Sequence, residues 1–274
     1  MFPAGHYYSP LPDLDEVRRQ EARLFGPPPR TLPGIDLREA EQLALLHRFA
    51  PLYADIPFGD EPRPGLRYHY LNPAYSFSDA IMLHCMLRTL RPARLVEVGS
   101  GHSSCVTLDT NQHFLGQTLH TTFIDPYPQL LQSLLRPEDL ATTTIIAKPL
   151  QEVDLAVFSQ LRENDVLFID STHVAKIGSD VNRLLFEIFP ALAPGVVIHL
   201  HDIFHPFEYP KEWIYEGRAW NEAYMIRAFL QYNAHFQVLL MNTFMAHFHH
   251  GFFAEHMPAC LRNTGGSLWL RKVA

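Results

Sequence analysis

The stretch RLVEVGSGHSS, Arg94 to Ser104, decides how the rest of the chain is read. Its first half is a short apolar run of the kind that fills a buried parallel strand. At Gly99 it breaks into a turn that opens a helical pattern. Gly99 and Gly101 let the backbone turn tightly and approach a ligand, while the following helix offers unpaired N–H groups and its positive end. In a dinucleotide fold a pyrophosphate sits there. Here Glu97 would face that phosphate, and Ser103 stands where the dinucleotide fingerprint has its third glycine. An acidic side chain at this spot suits a ligand that presents an ammonium group.

Outward from this turn the same unit recurs. TTFID, TTIIA, DVLFID, GVVIHLHD, FQVLLMN and SLWLRKV are β-branched runs separated by helical segments. That alternation predicts an α/β fold with a parallel sheet and crossover helices. Ser179 and Asp180 open a helix through VNRLLFEIF, which Pro190 and Pro194-Gly195 end. After His201-Asp202 the regularity gives way to the aromatic loop FHPFEYPKEWIYEGRAWNEAY, then to a helix near Glu222 to Tyr232. A second irregular stretch, AHFHHGFFAEHMPACLRNTGG, precedes the last strand. Before the sheet, 11 of the 22 prolines fall within the first 64 residues, which forbids a continuous sheet there. Residues 1–69 therefore read as an arm with a cap helix and residues 70–274 as the main domain. Within the arm, Asp36 and Glu39 read as a capping box for a helix carrying Leu43, Leu46 and Phe49. Another helix begins near Ser78, with Ile81, Met82, Cys85 and Met86 on successive turns before Arg91-Pro92 stops it.

Composition narrows the function. With 29 acidic against 22 basic residues, a net charge of -7, the chain is a poor binder of nucleic acid, which is held through basic phosphate contacts. Cys85, Cys105 and Cys260 form neither a disulfide framework nor a thiolate zinc pattern. MFPAGHYYSPLPDLDE lacks the basic and apolar regions of a signal peptide, and no run is long enough to span a membrane. The expected setting is the cytoplasm, and the expected partner a small molecule or peptide.

Several residues after strands carry chemistry. Asp125, ending the second strand in FIDPYP, can accept both hydroxyls of a ribose; Tyr127 places a ring beside a bound base, and Gln151 can read an amino-purine edge. Asp170 in FIDSTH and His201-Asp202 in HLHDIF end neighbouring strands. Carboxylates and imidazoles converging in this way make either a divalent-metal site or a general-base site. His199, two residues before His201 on the same strand face, reads as a satisfied core residue. His205 reads as a pocket-lining residue or an exposed loop histidine, and His247, His249, His250 and His256 as a solvated lid. Phe207, Tyr209, Trp213, Tyr215, Trp220 and Tyr224 are spaced too irregularly for one helix face. They wall a substrate pocket or pack against the arm.

With EVGSGHSS, FIDPYP, FIDSTH, GSDV, HLHDIFHPFEYP and GSLWLRK in this order, the sequence from about Tyr70 onward resembles class I S-adenosylmethionine-dependent methyltransferases. The resemblance implies a doubly wound, Rossmann-like, seven-stranded sheet whose last strand is antiparallel, with the cofactor at the strand ends where the order reverses. It implies cofactor contacts from Glu97, Gly99, Ser100, Gly101, Ser103, Asp125, Tyr127, Gln151 and Asp170. Of these, Glu97 and Gly99 would hold the methionine part, Asp125 the ribose, and Tyr127 and Gln151 the adenine. In the metal-assisted O-methyltransferases that the chain resembles, acidic residues at two strand ends hold magnesium. Here the metal set would be Asp170, His201 and Asp202, and the imidazole suits manganese, iron or zinc better than magnesium. Without a metal, His173 or His201, held by Asp170 or Asp202, would take the acceptor's proton. The expected reaction is O-methylation of a small-molecule or peptide hydroxyl, because Asp170-Ser171-Thr172-His173 stands where N-methyltransferases of bases and glutamine carry a Pro-Pro-aromatic motif. The alternatives are an NAD-dependent dehydrogenase, which Glu97, Ser103 and SLWLRKV disfavour, and a cofactor-binding protein without catalysis.

Overall fold

All seven apolar runs become strands: β1 Arg94–Val98, β2 His120–Ile124, β3 Thr143–Ile146, β4 Val166–Ile169, β5 Val197–Leu200, β6 Phe236–Met241 and β7 Leu268–Lys272. In the computed structural model, which describes residues 2–274, they form one sheet in the order β3-β2-β1-β4-β5-β7-β6. The first five strands run parallel, and β7 lies antiparallel between β5 and β6. This is the doubly wound, Rossmann-like α/β sheet. β4 and β5 are buried at every position, as continuous apolar strands covered by helices on both faces must be. The chain builds outward from β1 to β3, then returns to the other side of β1 as β4. Connections leaving β1 and β4 therefore diverge, and a crevice opens at their carboxyl ends.

The arm does not stand apart from this core. Leu32, Leu37, Leu45, Leu46 and Phe49 belong to the same continuous apolar cluster as the central strands. The helix Glu39–Tyr53 lies against the helix Phe77–Leu90 and against β6. Its start differs from the expected capping box. Arg38, in the left-handed region at φ 51°, precedes the helix without a side-chain cap, and Asp36 instead accepts the Arg38 N–H at 2.9 Å. Asp36 thus braces the turn before the helix, and the left-handed Arg38 moves it out of reach of the helical N–H groups. At Ser179 the expected cap is present, its hydroxyl accepting from the Asn182 N–H at 3.2 Å. The stretch read as irregular before β7 is largely helical, over Asn242–Phe248 and His250–His256. Among the described residues no helix is long and apolar enough to cross a membrane.

One buried ion network ties the segment before the sheet to the helix after β1 and to the turn before β3. Arg67 sends one guanidinium nitrogen to Asp109 at 2.7 Å and another to Asp139 at 2.6 Å, with all three side chains almost wholly buried. Asp109 also accepts the backbone N–H groups of Arg67 and Tyr68, at 2.8 and 2.9 Å. The loop that follows is fixed by Asn72, which accepts from Tyr75 N–H at 2.8 Å and donates to the Tyr75 carbonyl at 2.7 Å. Tyr75 is thereby delivered over the central strands, its ring 5.1 Å from that of His201.

Candidate active site

The glycine turn forms because the backbone there leaves no room for a side chain. Gly99 sits at φ +80°, and a Cβ built on it would lie 1.9 Å from the carbonyl oxygen of Asp170 at the end of β4. Two residues earlier, Glu97 is fully buried. Its Oε1 accepts the hydroxyls of Ser103 at 2.6 Å and Ser104 at 2.8 Å, while Oε2 is buried without a partner. Ser103 therefore orients the acidic group from the position where a dinucleotide fold has its third glycine. Burial pushes the Glu97 carboxyl up to about 8, against the opposing pull of the two serine hydroxyls.

At the end of β2, Asp125 accepts the Ser100 N–H and hydroxyl at 3.1 and 2.9 Å, and the Tyr127 N–H at 2.8 Å. These bonds fix the carboxylate between Ile124 and Pro126, which line a cavity of about 280 Å³ between the carboxyl ends of β1, β2 and β4; Asp125 itself does not line it. Gly99, Pro126, Gln151 and Asp170 line it. Gln151 donates its amide to the Gly178 carbonyl at 2.9 Å, so its free acceptor is the side-chain oxygen. The Tyr127 ring is 78% exposed and does not line this cavity, contrary to its expected place beside a base. The turn that puts its N–H on Asp125 carries the ring outward. The unpartnered Glu97 Oε2, the bare Gly99 backbone and this cavity suit a nucleoside joined to an ammonium-bearing chain. S-adenosylmethionine has that chemistry.

Beside the cavity lies a corner of four ionisable groups. Asp170 Oδ1 is 3.3 Å and Asp202 Oδ2 3.8 Å from His173 Nε2, and Glu222 Oε2 is 2.8 Å from His173 Nδ1. One ligand atom each from Asp170, His173 and Asp202 lie within 4.8 Å of one another, a set able to hold a divalent ion. In the expected metal set His201 stood in this place. Its Nε2 lies 3.5 Å from Asp202 Oδ1, but it is His173 that joins the converging group. β5 ends at Leu200, and Asp202 enters the left-handed region at φ 57°. Strand alternation consequently stops before Asp202, and its carboxylate turns back to the side of His201.

The charges in this corner are interdependent. Burial works against a charge on His173, but hydrogen bonds to Asp170 and Glu222 outweigh it and carry the imidazole up to about 10. Burial alone would raise Asp170; His201 and His173 hold it below the usual carboxylate range. Asp202 goes the other way, raised by burial beyond what the two histidines offset. The corner thus gathers three carboxyl groups around one imidazole, an arrangement that favours a cation, either the protonated ring or a metal ion that displaces its proton.

Other expected site residues fall elsewhere. His199 is fully buried, stacked on Phe168 at 4.0 Å, but both ring nitrogens lack partners, so it is a core residue and not a satisfied one. His205 is buried, with Nε2 2.7 Å from the Pro29 carbonyl of the arm, and it lines a groove between the arm and the aromatic loop, not the cavity at Gly99. His249 contacts Glu39 at 2.7 Å, whereas His247, His250 and His256 are exposed. The aromatic loop divides. Phe207 and Tyr209 are buried in the core, Tyr215 faces Arg18 of the arm, and Trp220 lies 4.4 Å from the His173 ring with Trp213 beside it. Glu222 escaped the sequence reading, since nothing local links it to a histidine 49 residues away.

Residues 96–203 match the family model of a methyltransferase domain. Over 171 residues the chain is 34% identical to an uncharacterized protein of Archaeoglobus fulgidus, a match covering 60% of this chain and 75% of that protein. Among solved structures it is similar to the SAH-bound Podospora anserina methyltransferase PaMTH1, at 13% identity and a TM-score of 0.46, over 100% of this chain and 99% of that one. It is also similar to the O-methyltransferase TomG of Streptomyces achromogenes in complex with SAM, at 14% identity and a TM-score of 0.45, over 94% and 96% of the two chains.

Proposed function

The chain belongs to the class I S-adenosylmethionine-dependent methyltransferases, and from that premise we propose that it methylates a hydroxyl oxygen of a small molecule or peptide. The observation that carries this reading is the corner of Asp170, His173 and Asp202, which adjoins the cavity at Gly99 and can manage the proton of a hydroxyl. S-adenosylmethionine, when bound, supplies an electrophilic methyl carbon. Glu97 would take its ammonium on the unpartnered Oε2 and Asp125 its ribose. Methyl transfer needs the acceptor lone pair in line with the breaking S–C bond, so positioning and exclusion of water account for most of the rate. Trp213 and Trp220 would form the wall that does both.

For acceptor activation, the convergence of these three groups favours the metal version over the general-base one. Their ligand atoms lie within 4.8 Å of one another, so we assign Asp170, His173 and Asp202 as the ligands of a divalent ion, with His173 as the neutral imidazole; such an ion, when bound, would lower the pKa of the acceptor hydroxyl. Transfer of a labelled methyl group to a panel of phenols, sugars and hydroxyl peptides tests this. Chelation should abolish turnover and Mn²⁺ restore it. Asp170→Asn should lower kcat at least about 100-fold while affinity for S-adenosylhomocysteine stays within about two-fold. Turnover indifferent to chelation would remove the metal from the reading, and a product methylated on nitrogen would remove the hydroxyl.

Glu97 gives a separate test of cofactor placement. At pH 7, below its value of about 8, the free carboxyl carries a proton, and an ammonium group beside it favours the ionised form. Binding should release a proton, and affinity should climb from pH 6 and level off above about 8. Calorimetry with S-adenosylhomocysteine in buffers of different ionisation heat measures the release. Glu97→Gln should abolish it and weaken binding about 10- to 100-fold, the scale of a charged hydrogen bond. Unaltered heats and affinity in that variant would place the ammonium elsewhere.

A further inference from the structure

Resting on the reading of the Asp170, His173, Asp202 corner as the place of acceptor activation, we propose that Glu222 is a positioning residue. It keeps a proton on Nδ1 of His173 and turns Nε2 toward the two aspartates. Glu222 is 1% exposed and opens the helix Glu222–Leu230, at the far end of the aromatic loop. Its Oε2 lies 2.8 Å from His173 Nδ1, and the opposite ring nitrogen is the one that faces Asp170 and Asp202.

The side-chain contact is one half of a clamp. The N–H groups of Asn221 and Glu222 both donate to the His173 carbonyl, at 3.0 and 3.1 Å. The Asn221 side chain accepts the Ala175 N–H at 2.6 Å and donates to the Ala175 carbonyl at 3.2 Å. His173 itself is held at φ 59°, a left-handed conformation that a residue with a Cβ keeps only where its surroundings impose it. Trp220 covers the ring from the same loop. All of these restraints come from residues 220–222.

The chemistry explains why a carboxylate stands there. A neutral imidazole has one N–H and one lone pair, and the partner of one nitrogen decides the state of the other. With Glu222 accepting from Nδ1, only Nε2 is left to bind an ion or exchange a proton. A group that merely filled space would have no such effect on the ring, and outer partners of ligating histidines commonly contribute 10- to 100-fold to affinity or activity.

The test uses the full chain with ¹⁵N-labelled histidine. The unaltered protein should show a low-field Nδ1–H proton resonance that is missing in His173→Asn. That resonance should move upfield in Glu222→Gln and vanish in Glu222→Ala. Glu222→Gln, which preserves volume and can still accept a hydrogen bond, should keep its melting temperature and S-adenosylhomocysteine affinity while kcat falls about 10- to 100-fold. A His173 resonance unchanged in both Glu222 variants would overturn the proposal. So would an altered resonance with kcat intact. Absence of methyl transfer in the unaltered protein would defeat the methyl-transfer reading alone, and the resonance would still decide the assignment of Glu222.

Discussion

A Gly99→Ala variant is expected to lose detectable binding of S-adenosylhomocysteine and to be less stable by about 3 kcal/mol or more, the sum of backbone strain and overpacking. Two effects coincide at this position. Alanine at φ +80° meets the steric cost of the left-handed region, and its Cβ would overlap the Asp170 carbonyl oxygen, 1.9 Å away. Relief would require β1 and β4 to part, although Asp170 N–H bonds the Val98 carbonyl at 2.9 Å. Any such shift moves Asp170, which lines the cavity and belongs to the ionisable corner. Gly65→Ala is the control: φ is +85° there, but nothing lies within 4 Å of the added carbon. Calorimetric titration and thermal melts measure both variants. Wild-type affinity in Gly99→Ala would show that the ligand does not use this turn.

Arg67→Ala should cost about 3–5 kcal/mol, because it leaves Asp109 and Asp139 buried without their counter-charge. For a chain of this size that is a fall in melting temperature of roughly 10 °C. Combining it with Asp109→Asn and Asp139→Asn removes the uncompensated charges, so the triple variant should recover part of the loss. A triple variant no better than the single one would mean that lost packing of the arginine, and not stranded charge, sets the cost.

The sheet was legible because its information is local. Each strand is a short β-branched run whose burial on both faces needs only an apolar composition, and all seven appear where those runs stand. The glycine turn was legible for a similar reason, since Gly99 and Gly101 follow a strand directly. Features that depend on how the backbone bends were not. Asp202 joins the side of His201 only because the strand has ended and Asp202 adopts a left-handed φ. His173 replaces His201 in the converging group because residues at the far end of the aromatic loop clamp it. A pattern of residue types carries no trace of either. Burial without hydrogen bonds was equally hidden: His199 looks like any strand histidine until Phe168 and Trp269 are found packed against it from the neighbouring strands.

The place of β7 has a consequence for the order in which the molecule can be completed during synthesis. β5 and β6 are made before the strand that separates them, and neither can take its final neighbour until Leu268–Lys272 has been made. The same delay reaches the helix Phe77–Leu90. Its buried Asp79 accepts from the Asn242 amide at 3.2 Å, from Gly266 N–H at 3.1 Å and from the Ser267 hydroxyl, so an early helix carries a carboxylate whose partners arrive 163 to 188 residues later. Until then the nascent chain holds an open sheet edge on β5, the kind of edge that invites pairing with another chain. A ribosome stalled before residue 266 should therefore display a protease-sensitive, chaperone-binding intermediate in which β1 to β4 are already protected.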